Sequence, residues 1–112
     1  MTDWYWVRGL HDAELKNVIF HQLDYDYTER NPIRNYIELR LDSSQAMFDT
    51  SIKAIRLYNA KIISGDLDCV NWFWKKDVLT QEAKKFVLDI TFMHLREFKN
   101  CRISFEKAEV ER

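Results

Sequence analysis

A chain of 112 residues that is 46% hydrophobic and 31% charged is one domain's worth of globular sequence, able to bury roughly two-thirds of its unfolded surface without metals or disulfides. Seventeen Lys and Arg stand against eighteen Asp and Glu, a formal charge of −1, so no net field draws in polyanions, and the densest basic spots, Lys75-Lys76 and Lys84-Lys85, are mere dipeptides. A nucleic-acid role is therefore not expected; apolar runs of three or four residues argue against a membrane role, since a spanning helix takes about 20.

The first local feature is "DWYWVRG", which places Trp4, Tyr5 and Trp6 side by side. No basic-then-apolar secretion signal precedes it. In "AELKNVIFHQLDYDY" the residues Ala13, Leu15, Ile19, Leu23, Tyr25 and Tyr27 fit alternation. A helical stripe of Leu15, Val18, Ile19, Gln22 and Leu23 competes with it, and the strand is the favoured reading. "YIELRLD" is a half-buried strand by strict alternation, with Ile37, Leu39 and Leu41 on one face and Tyr36, Glu38, Arg40 and Asp42 on the other.

"IKAIRLYNAKII" is β-branched and aromatic, but its inward set switches from Ile55 and Leu57 to Ala60 and Ile62. A β-bulge near Tyr58 and Asn59 would produce that switch. "NWFW" repeats the paired indoles with Trp72 and Trp74 around Phe73. "TQEAKK" predicts a helical turn capped by Thr80. "KFVLDITFMH" alternates through Phe86, Leu88, Ile90 and Phe92, and its Val, Ile, Thr and Phe favour a strand. "LREFKN" then joins it as a hairpin connection to "CRISFE", whose Cys101, Ile103 and Phe105 point inward.

The polar stretches "TERNP", "DSSQ", "SGDLD" and "KKDVLT" serve as joints between strands. The expected fold is mainly β, a single antiparallel β-sandwich or partly open β-barrel with at most one short helix, in one globular domain over residues 1–112. With two glycines and one proline in all, Asn, Asp and Ser must make most of the turns through side-chain hydrogen bonds.

Residues two apart share a strand face, so Trp4 and Trp6 form one indole platform and Trp72 and Trp74 another. Indoles of a small domain are mostly packed away; exposed, these pairs would stack on a planar ligand or anchor a protein partner. Arg56, Tyr58 and Glu38 are the polar contacts such a surface would use.

Asp24 and Asp26 in one segment and Asp66 and Asp68 in another are weak oxygen-ligand candidates for Ca²⁺ if their loops meet, although turn-forming aspartates look the same. The spacing is not that of an EF-hand. His11, His21 and His94 lack metal-ligand spacing, and Ser64-Gly65 and Cys69 lack the glycine-framed elbow of a hydrolase nucleophile. Two glycines rule out a G-x-G-x-x-G or P-loop cradle. Cys69 and Cys101, without C-x-x-C spacing, read as buried thiols in a reducing cytoplasm.

No cofactor is expected. The leading functional expectation is a non-catalytic interaction module that binds another protein, or a second copy through an edge strand. A small-ligand-binding β-domain is the alternative. An enzyme working through His11, His21 and Asp24 comes third.

Overall fold

The computed structural model describes residues 11–21, 35–46 and 50–112. These form eight strands in one antiparallel sheet and, among the described residues, no helix. The strands are β1 (Glu14–His21), β2 (Tyr36–Asp42), β3 (Ala54–Tyr58), β4 (Lys61–Ser64), β5 (Phe73–Glu82), β6 (Lys85–His94), β7 (Glu97–Phe105) and β8 (Lys107–Glu111). Their order across the sheet is β4-β7-β6-β5-β1-β2-β3-β8, and the sheet does not close on itself.

Alternation explains most of this. Ile37, Leu39 and Leu41 of β2 pack against Ile55 and Leu57 of β3, and Leu88, Ile90 and Phe92 of β6 join Cys101, Ile103 and Phe105 of β7 in the same core. Residues of β1 through β7 thus share one hydrophobic interior, and each fully buried Leu, Ile or Phe among them contributes about 1.5–3 kcal/mol of transfer free energy. Glu14–His21 is a strand as favoured, pairing with β2 from Glu14↔Asp42 to His21↔Tyr36, but an irregularity between Leu15 and Asn17 shifts the alternation, so that Val18 rather than Ile19 faces the core. Leu23, Tyr25 and Tyr27 lie outside the described residues.

Three expectations need correction. The switch of face at Tyr58 and Asn59 is a corner between two strands: β3 ends at Tyr58, Asn59 adopts φ +52°, and β4 begins at Lys61. Pairing continues through the corner without a change of register, from Tyr58↔Lys107 in β3 and β8 to Lys61↔Ser104 in β4 and β7. Residues 54–64 and 102–111 are therefore one antiparallel ribbon bent in the middle. Asn59 Nδ2 donates to Glu106 Oε2 at 2.9 Å and Glu106 N donates to Tyr58 O at 3.0 Å, holding the bend. Because β3 and β4 lie toward opposite ends of the strand order, the bend curls the sheet around its core.

The helical turn at "TQEAKK" is instead the tip of a hairpin. β5 runs through "KKDVLT" to Glu82, which faces Lys85, and Ala83 at φ +52° makes the tight turn. Thr80 pairs with Val87 inside the ladder and caps nothing. "LREFKN" is likewise mostly strand: only Leu95 and Arg96 turn the chain, because His94↔Glu97 already closes the ladder. In both places the local polar pattern loses to cross-strand pairing with a long apolar strand.

The narrowest seam is β1 against β5, a single pairing at Glu14↔Phe73. Backbone bonds extend it: Trp74 N to Ala13 O at 2.7 Å, Leu15 N to Trp72 O at 2.9 Å, and Asn71 N to Leu15 O at 2.7 Å. Several turns are made by the expected residue types: Asp12 and Asn71 have positive φ, Asp42 Oδ1 accepts from Ser44 N, and Asp66 Oδ1 accepts from Asp68 N. The two hairpin tips instead place Ala83 and Leu95 at positive φ.

Candidate interaction surface

On the outer side of β1, β2, β3 and β8, register places Glu38 opposite Arg56 and Arg56 opposite Glu109. One step along, Arg40 lies opposite Ala54 and Ala54 opposite Glu111. The small Ala54 side chain leaves room for Arg40 and Glu111 to meet over it. Four charged groups then close a ring: Glu38 accepts from Arg56 Nε at 2.5 Å and Arg40 Nη1 at 3.1 Å, and Glu111 accepts from Arg40 Nη2 at 3.0 Å and Arg56 Nη2 at 3.1 Å.

Each guanidinium bridges both carboxylates, the fork geometry that lysine lacks. The hydrogen bond from Arg40, then that from Arg56, holds the Glu111 carboxyl below its ordinary range. Both guanidiniums are held above theirs, Arg40 chiefly by Glu111 and Arg56 chiefly by Glu38. Glu38 is only 6% exposed although it sits on the outer phase of β2, so the ring is desolvated at this carboxylate and open to solvent at Arg40 and Glu111.

Beside the ring runs a second row. His21 stacks on Tyr36 with ring centroids 4.6 Å apart, Tyr36 meets Tyr58 at 5.4 Å and 58°, and Lys107 Nζ lies 5.9 Å from the Tyr58 ring centre. These are cross-strand neighbours, through His21↔Tyr36, Tyr36↔Tyr58 and Tyr58↔Lys107. Burial, then the Glu109 carboxylate, pushes the Tyr58 phenol up. Ile19, 38% exposed and opposite Glu38, lies on the same face as the row, whereas Phe20, 60% exposed, is opposite Ile37 and so points to the other side of β1. A cavity of about 300 Å³ at the end of the row is lined by Phe20, His21, Asn35, Tyr36, Lys61 and Ile62 among others.

Arg56 and Tyr58 thus belong to one surface, with Glu38 between two arginines. Trp74 does not: it is fully buried in the core against Phe92, centroids 5.7 Å apart and edge-on at 75°, so it offers no platform. Trp72 packs at the core margin, stacked on His94 at 5.5 Å under Lys99 Nζ at 5.1 Å. Trp4, Trp6, Asp24 and Asp26 lie outside the described residues.

Asp66 holds its own turn, and the carbonyl of Asp68 accepts from Lys99 Nζ at 3.1 Å. Among the described residues no three His, Cys, Asp or Glu side chains are grouped to hold a metal. His21 and His94 stack on different rings. His11 Nδ1 lies 3.1 Å from Asp12 Oδ2, outside hydrogen-bonding geometry.

Cys69 and Cys101 are free and buried. Burial, and after it the neighbouring Cys69, pushes the Cys101 thiol from 9.0 up to about 12; burial raises Cys69 as well. Because the folded values are raised, the protonated thiols stabilise the fold fully below the unfolded-state value, and that contribution is lost as pH rises through the folded one. Native protein at pH 8 is expected to resist an aromatic disulfide reagent until it unfolds. Above pH ~9 its melting temperature should fall, and fall less in Cys101→Ala, where one titrating group is gone.

Comparison with protein-family models, with curated proteins and with solved structures finds no match. The partners Arg40 and Glu111 were not apparent from sequence, because nothing local places residue 111 beside residue 40. The one available signal was the outward phase of Arg40 and Glu38 in adjacent alternation.

Proposed function

We propose that the chain is a non-catalytic protein-interaction domain: a single-domain, partly open β-barrel of the cytoplasm whose partner meets the outer face of β1, β2, β3 and β8. The observation that carries this reading is the row His21, Tyr36, Tyr58 and Lys107 set beside the Arg40, Arg56, Glu38 and Glu111 ring. Stacked rings and paired forks are already ordered, so a partner meets aromatic anchors at little further entropic cost. Two buried thiols in a chain that needs no disulfide support a reducing compartment.

Purified natively from its own cells, tagged protein is expected to retain a stoichiometric partner. Ile19→Ser/Lys107→Glu, both at exposed positions of that face, should weaken retention at least ~10-fold without lowering the melting temperature. Retention unchanged by the two substitutions, or no partner at all, would overturn the reading.

The cavity favours a second reading, a small planar anion held against Phe20 with Lys61 at its rim. Calorimetric binding of an aromatic carboxylate, lost in Lys61→Ala, would favour it over a protein partner.

A further inference from the structure

A different face carries an inference independent of that reading. Leu95 and Arg96 make the two-residue turn between β6 and β7, and Leu95 has φ +55°. Asn or Gly is the ordinary choice there, because an L side chain with a branched body is strained at positive φ. Leu95 is also 83% exposed. A leucine at this position is thus unfavourable twice over, in backbone conformation and in hydration.

The register adds to this tip a row of Phe73, Met93 and Phe98 across β5, β6 and β7. Phe98 is 60% exposed. Around them stand three cations: Arg96 in the turn, and Lys75 and Lys76 just after Phe73. Among the described residues none of the three enters an ion pair or a side-chain hydrogen bond. The nearby Glu14 carboxylate is taken by Lys16 at 2.9 Å, and Glu97, opposite His94 in the ladder, lies on the other side of the sheet from Met93 and Phe98.

We propose that this hairpin end docks on an anionic lipid surface, with Leu95 and Phe98 entering the headgroup boundary and Lys76 and Arg96 meeting lipid phosphates and carboxylates. A protruding apolar tip rimmed by unpaired cations matches a soft, negatively charged surface in both shape and sign. No helix among the described residues is long and apolar enough to cross a membrane.

Co-flotation with vesicles tests it. The full chain is expected to float with mixed phosphatidylcholine–phosphatidylserine vesicles, less so as salt rises, and poorly with phosphatidylcholine alone. Leu95→Asn, which suits the positive φ and should keep or raise the melting temperature, is expected to cut binding at least ~10-fold when combined with Phe98→Thr. Lys76→Glu/Arg96→Glu should abolish the preference for phosphatidylserine. If the wild-type chain floats with neither vesicle, or if Leu95→Asn alone and the double variant float as well as wild type, the proposal fails. Neither outcome touches the partner face on β1, β2, β3 and β8.

Discussion

Gly65→Ala is expected to destabilise the protein by about 3–5 kcal/mol although residue 65 lies at the surface. Gly65 adopts φ +74°, and a Cβ there would stand 2.0 Å from the carbonyl oxygen of Asn100 and 3.0 Å from its carbon. That obstacle is backbone of β7, the strand that pairs with β4 immediately before the glycine, so it cannot swing aside as a side chain would. The chain must leave β4 here to reach Cys69 and β5, and it does so pressed against its own neighbour. Urea unfolding of the variant should show a lower midpoint with an unchanged slope. A shift under about 0.5 kcal/mol, the usual size for a surface change, would mean that β4 and β7 part easily at this point.

Trp74→Ala should cost about the same, ~3–5 kcal/mol, for a different reason. The indole is fully buried, and it sits where the narrow β1–β5 seam depends on Trp74 N bonding to Ala13 O at 2.7 Å. Emptying that volume leaves a cavity beside Phe92 and Leu15. Trp74→Phe should cost less, about 1–2 kcal/mol, because the indole Nε1 finds no acceptor among the described residues and the substitution removes that buried donor together with some volume. Intrinsic fluorescence gives the check: the signal lost in Trp74→Phe should be the blue-shifted, poorly quenched part, and Trp72→Phe should remove a more accessible one.

The strands with clean alternation were legible in the sequence, because a period of two with β-branched or aromatic residues admits one reading: Ile37 to Leu41, Phe86 to Phe92 and Cys101 to Phe105 are inward in the structure as in the pattern. Failures fell where pairing between distant segments decided the outcome. Thr80 to Lys85 looks helical in isolation because Gln81, Glu82, Ala83, Lys84 and Lys85 are all helix-tolerant, but Val78 to Thr80 is drawn into the ladder by Val87 to Asp89.

The corner at Asn59 was half visible. The change of face was readable, whereas its use, carrying one ribbon around the core, depends on Lys107 and Ser104, over forty residues away. The candidate surface was half visible for the same reason. Arg56 and Tyr58 lie on the outward phase of a readable strand, but the ring needs Glu111 and the aromatic row needs His21, and only topology brings these together. Leu95 and Phe98 were hidden inside a stretch that reads as loop.

The most direct test of the proposed partner face is hydroxyl-radical footprinting of the chain alone and in its natively purified complex. Loss of reactivity at His21, Tyr36 and Tyr58 on complex formation, with Leu95 and Phe98 unchanged, is the expected result. Protection confined to Leu95, Met93 and Phe98, with Tyr36 and Tyr58 as reactive as in the free chain, would contradict it and move protein binding to the hairpin end.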